Sequence, residues 1–149
     1  MRRFDNLDDV WPAGLLRRLA AMVYDGLVLM AIWVLVGFVG VALNGGEATE
    51  SPLFHSVLLI VTFAFFAFFW MRAGMTLGMQ AWRLRVQGVE GNPLSLPQCL
   101  MRFIAAVFSL ALGGLGYWWI LIDGERRSWP DIISDSRVVV LPKRPRRSR

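Results

Sequence analysis

Four ionisable residues stand out in an otherwise apolar chain, and they alternate in sign: Arg18, Asp25, Arg102 and Asp131. Asp25 is the sharpest. It is the single charged residue among the 25 positions of Leu19–Leu43. A charge near the centre of a spanning helix costs roughly 2.5–3.5 kcal/mol on insertion scales. An aspartate is too short to reach far toward water, so Asp25 must face protein or a wet space, meet a cation, or take a proton. Arg18 lies seven residues earlier, two helical turns away on the same face, with Ala21 between them. To touch Asp25 it must stretch along its stem. An arginine from a distant segment is the alternative, and Arg102 is the expected partner. Two readings of Asp25 stand side by side: an ion or proton site, and a buried lock that joins helices through one ion pair or hydrogen bond. Asp131 follows Trp129-Pro130, where its spacing suggests a helix cap or turn, bonded to an arginine or an exposed helix N-terminus.

Other chemistry is sparse. His55 and Cys99 are the one histidine and the one cysteine, and they fall far apart on opposite sides of the expected topology. A zinc site of ordinary composition is therefore not expected, nor any other metal or cofactor. Cys99 reads as a buried structural thiol, and a single cysteine forms no internal disulfide. Gly113-Gly114-Leu115-Gly116 lacks the Lys-Ser/Thr of a phosphate-binding loop. No nucleophile–base pair appears, so no catalytic residue and no enzyme are expected.

The elements that must position these residues follow from composition. The chain has 149 residues, 56% hydrophobic and 18% charged, with a mean hydropathy of +0.49. A soluble domain is nearer ~45–50% apolar and ~25% charged. Leu53–Met71 has no charged residue in 19 positions and Phe103–Ile122 none in 20. About 20 apolar residues cross a ~30 Å hydrocarbon core as a helix. The expectation is an all-α membrane bundle of one domain, residues 15–141, after a polar segment 1–14 and before a basic, disordered tail 142–149. One helix runs from about Gly14 to Leu43, ended by Asn44-Gly45-Gly46; a second runs from Ser51-Pro52 to about Arg72. Arg83–Val89 alternates with period two and pairs, as a half-buried strand, with Arg137–Leu141 in a small two-strand element. No cleavable signal peptide is expected, because Met1–Val10 is acidic and the first apolar segment is longer than a signal core.

Charge placement sets the expected orientation. Lys and Arg number 16 against 11 Asp and Glu. None of the cations falls in Asn44–Pro52, which carries Glu47 and Glu50; that loop faces away from the cytoplasm and both termini face it. A third full span through Phe103–Ile122 would carry eight cations to the wrong side. A re-entrant hairpin turning at Gly113, Gly114 and Gly116 is therefore favoured, with an ordinary third span as the alternative.

Several motifs together resemble the RDD family of bacterial membrane proteins. Arg17-Arg18-Leu19-Ala20-Ala21-Met22-Val23-Tyr24-Asp25 is similar to its opening, and Gly74-Met75-Thr76-Leu77-Gly78 to its central Gly-x-Thr-x-Gly motif. Leu100-Met101-Arg102-Phe103 resembles its next arginine position. Leu115-Gly116-Tyr117-Trp118 and Ser128-Trp129-Pro130-Asp131 resemble its closing block, and Arg137-Val138-Val139 its last strand. Met79 and Pro130 stand where many members have Lys and His. The resemblance makes Arg18 and the aspartates Asp25 and Asp131 the name-giving residues, and Gly74, Thr76 and Gly78 structural ones. It implies a bacterial inner-membrane protein, and for some members sodium/proton antiport. The resulting expectation is a small transporter of a monovalent cation and protons, working in the bilayer as a homo-oligomer or with another membrane protein. The alternative is a non-transporting accessory or assembly factor. No nucleic-acid partner is expected, since the basic tail is tethered to a lipid surface.

Overall fold

Ser51, Pro52 and the loop glycines fix where the two long helices begin and end. Helix α1 is Leu15–Leu43 and α2 is Pro52–Arg72; both are long and apolar enough to cross a membrane. Asn44 and Gly46 close α1 by donating their N–H groups back to Gly40 and Val41, with Gly45 and Gly46 at positive φ. Ser51 caps α2 by accepting the Phe54 N–H at 3.2 Å. The computed structural model describes residues 10–142. The expected tail lies outside these residues except for Pro142, and so does most of the N-terminal segment.

The two helices run antiparallel and are registered by two contacts. Trp33 Nε1 donates to Thr62 Oγ1 at 2.9 Å, and Gly40 lies against the Phe54 ring. Asp25 is eight residues before Trp33 and Trp70 is eight after Thr62, so Asp25 and Trp70 stand at the same height. The first turns of α1, from Leu15 to about Tyr24, therefore project past the end of α2. Asp25 thus lies at the level where α2 ends.

The chain then builds a cap around those projecting turns. It contains α3 (Leu77–Ala81), β2 (Leu84–Gly88), α4 (Leu96–Ala111), α5 (Leu115–Trp118) running into a 3-10 turn at Trp119–Leu121, α6 (Trp129–Ile133) and β3 (Ser136–Val140). A third strand joins them. Trp11–Pro12, here β1, pairs antiparallel with β3, which also pairs antiparallel with β2. The sheet order is β1-β3-β2, one strand more than the sequence suggested. A two-residue strand is too short to show a period of its own. β2 also departs from the half-buried pattern: Arg85 and Gln87 are as buried as Leu84 and Val86.

The third apolar segment is bent. α4 and the α5–Leu121 stretch meet at 101° across the break at Leu112–Gly114. Gly113 and Gly114 both have positive φ, as a tight reversal requires. A Cβ on Gly116 would collide with the Ser109 side chain, so the returning arm packs directly on α4. β2 precedes this segment and β3 follows it, and the two strands are hydrogen-bonded neighbours. The segment thus leaves the sheet and comes back to it. The core lies beneath this return, where Ala13, Ala21, Trp70, Leu84, Val86, Cys99 and Val138 pack together.

Candidate functional site

The charged residues singled out by sequence gather at the junction of spans and cap, but in a different pairing from the one expected. Asp131, fully buried, receives both arginines. Arg18 Nη1 lies 2.6 Å from its Oδ2, and Arg102 Nη1 pairs with its Oδ1. α6 positions the carboxylate: Asp131 sits in the first turn and also accepts the Ser128 N–H at 3.1 Å. Further donors of both guanidiniums find acceptors nearby. Arg18 bonds the carbonyls of Ala13 and Arg126 at 3.3 and 2.8 Å. Arg102 bonds Ser136 Oγ at 3.0 Å and lies over the Trp70 ring. Burial pushes the Asp131 carboxyl up, but the guanidiniums of Arg102 and Arg18 outweigh it and hold it below the ordinary 3.8. The expectation that Asp131 meets an arginine is met twice over.

Asp25 does not meet an arginine, which corrects the expected pair with Arg102. Its partners come from the Gly-x-Thr-x-Gly segment instead. Thr76 Oγ1 donates to Oδ2 at 2.5 Å, and the Gly78 N–H donates to Oδ1 at 2.8 Å. Thr76 Oγ1 in turn accepts the Met79 N–H at 3.3 Å, so its own proton is free for Asp25. Each carboxylate oxygen therefore receives one donor. The physical reason is closeness of approach. A Cβ on Gly78 would overlap the Ala21 carbonyl and crowd the Asp25 carboxyl, so only glycine lets α3 lie on α1 there. Gly74, at positive φ, turns the chain out of α2, and its carbonyl accepts the Val86 N–H at 2.6 Å. Gly74, Thr76 and Gly78 thus set the chain path and the donors around Asp25. Arg102 was drawn away because Asp131 offers an acceptor with a pre-set geometry next to Ser136.

Two spaces adjoin Asp25. A void of about 70 Å³ separates it from Arg18 and Arg102, walled also by Thr76 and Tyr117. On its other side an apolar chamber of about 590 Å³ runs between α1, α2 and α4, with Leu29, Trp33, His55, Thr62, Trp70 and Phe103 among its walls. His55 lies at the far end of this chamber from Asp25, and Cys99 is buried and unbonded to any partner cysteine. Among the described residues no group of His, Cys, Asp and Glu could hold a metal.

The sequence model of the RDD family matches residues 12–135. The chain belongs to the RDD family. Neither a curated protein nor a solved structure matches it. The charged residues marked out by sequence divide between two clusters: Arg18, Arg102 and Asp131 in one, Asp25 in the other. Sequence reasoning gave no role to Ser128, Ser134 and Ser136, which finish the first cluster. Ser128-x-x-Asp131 is a helix-capping spacing and could have flagged the start of α6. It also missed the chamber, whose walls are apolar residues that look like any lipid-facing surface.

Proposed function

We propose that this RDD-family membrane protein is a small carrier in which Asp25 binds a cation or proton entering from the apolar chamber. The observation that carries this reading is the state of Asp25: a buried carboxylate on the chamber wall, with both oxygens fixed by donors and no ion pair among the described residues. An intramembrane or interfacial carboxylate without a counter-ion is a site for a mobile one. The other buried carboxylate, Asp131, already carries two arginines, so among the described residues Asp25 is the buried carboxylate open to a cation. Two spans do not enclose a pathway, and the carrier works as a homo-oligomer in the bacterial inner membrane. By the cation distribution the sheet, both ends of the bent third segment and the N-terminus face the cytoplasm, and Asn44–Pro52 faces outward.

Purified protein in proteoliposomes tests the proposal through cation-dependent proton flux. The native chain gives flux, and Asp25→Asn abolishes it while the protein still inserts. Full flux from Asp25→Asn would reduce Asp25 to a structural group. The exposed outer part of α1, including Val34, Leu35, Phe38 and Val39, favours a second reading: an accessory subunit that lays this helix against a partner membrane protein. Co-purification of an unrelated membrane protein, with no flux from the isolated chain, would support that reading.

A further inference from the structure

The chamber has a shape that the exchange of a bare ion does not require. Its walls on α2 extend from Trp70 to His55, fifteen residues or about 22 Å of helix. Spread over that length, the volume of about 590 Å³ gives a mean cross-section of about 27 Å². This is a long narrow groove between the helices. One lipid chain occupies half of a ~30 Å hydrocarbon core, ~15 Å, so a single chain fits lengthwise.

The two ends of the groove differ. At the inner end, level with the end of α2, stand Asp25 and the rings of Phe66, Phe103 and Tyr117, beside Trp70, whose ring already holds the Arg102 guanidinium. Aromatic faces and a carboxylate both attract positive nitrogen. From there to His55 the walls are almost wholly apolar. Arg18 and Arg102 border the small void and not the groove, and both are committed to Asp131. An anionic head would meet the Asp25 carboxylate first. We infer that the groove binds a single-chain cationic amphiphile, with its amine on Asp25 at the membrane interface and its alkyl chain laid along α2 toward His55. The inference deepens the carrier reading and rests on Asp25 being the cation-accepting group.

Gly26 supplies a clean control. It lines the groove, and a Cβ there meets nothing within 4 Å, so a side chain starts into open space and Gly26→Leu should occupy the groove. The experiment uses the full chain in liposomes with hexadecylamine carrying a photoactivatable group at the chain end. The matching alcohol and carboxylate are the comparisons. The amine should label the protein at least about tenfold more than either, with labels mapping near His55 and Leu59. Gly26→Leu should abolish that labelling with helix content unchanged. Asp25→Asn, where it folds, should bring the amine down to the alcohol. Equal labelling by amine and alcohol, labels elsewhere, or full labelling of Gly26→Leu would each overturn the inference, and none of these needs the Asp25 variant. The carrier reading fails separately: selective labelling without ion-coupled flux sinks transport and leaves this site standing, and flux without amine selectivity does the reverse.

Discussion

Arg102 and Asp131 are 29 residues apart and bracket the third apolar segment, yet they form a buried ion pair. The pair ties the entry of that segment to the turn beyond its exit. Arg18 joins from the base of α1, so one carboxylate fastens three parts of the chain. Two guanidiniums against one carboxylate leave the cluster with a net positive charge, offset by the Ser128 and Ser136 hydroxyls and the Ala13 and Arg126 carbonyls, which accept further N–H groups.

Removing Asp131 should therefore be among the most damaging single changes. Asp131→Ala leaves two buried guanidiniums facing each other, at a cost of roughly 3–5 kcal/mol. Unfolding of the detergent-solubilised protein by denaturant measures it. A double-mutant cycle of Asp131→Asn with Arg102→Met should give a coupling of about 0.5–3 kcal/mol. Additive effects would mean that the pair is close without being coupled.

The same cluster has a pH signature. The folded Asp131 carboxyl is held below its ordinary 3.8, so it contributes stability above that value and loses it as pH falls through the lower folded value. The stability gap between native protein and Asp131→Asn should be full and constant above about pH 5 and close on acidification below about pH 4. A gap that shrinks between pH 5 and 8 would point to a different titrating group.

The seat of Asp25 is tested by chemistry that leaves the carboxylate in place. Thr76→Ser keeps the hydroxyl donor and should be close to neutral. Thr76→Val removes it and leaves a buried oxygen unmatched, costing about 1–3 kcal/mol. Gly78→Ala should be worse than Thr76→Val, since the methyl group overlaps the Ala21 carbonyl, a backbone atom that cannot swing aside. Thermal unfolding of the three variants gives the order, and a Gly78→Ala protein as stable as the native one would show that α3 can lift away from α1.

Much of the frame was legible because it rests on local signals. Apolar length and the Asn44, Ser51 and Pro52 boundaries gave α1 and α2, and Gly113-Gly114 marked the bend of the third segment. The identity of the charged cluster was legible too, but its wiring was not. Sequence spacing favoured Arg102 for Asp25; the outcome turned on Asp131 being held in α6 beside Ser136, a tertiary fact. Thr76 and Gly78 act on a residue 51 and 53 positions away, and nothing local to either reveals it. The height of Asp25 depended on the register of α1 against α2, set by Trp33–Thr62 and Gly40–Phe54, which hydropathy does not encode.

The arrangement of the sheet fixes a last expectation, about which side of the membrane each segment occupies. β1 leads into α1, β2 follows α2, and β3 follows the bent segment, and all three are hydrogen-bonded in one sheet. Strands in one sheet lie about 5 Å apart, against a hydrocarbon core of ~30 Å, so none of the three can be across the bilayer from the others. Reporters inserted after Val89 and after Leu141 should therefore report the same side, which under the proposed orientation is the cytoplasm. A reporter in the Asn44–Pro52 loop should report the opposite side. Opposite signals from Val89 and Leu141 would require β3 to separate from β2. That would also break the Arg102–Asp131 pair, so the same fusion would lose the stability that Asp131 confers.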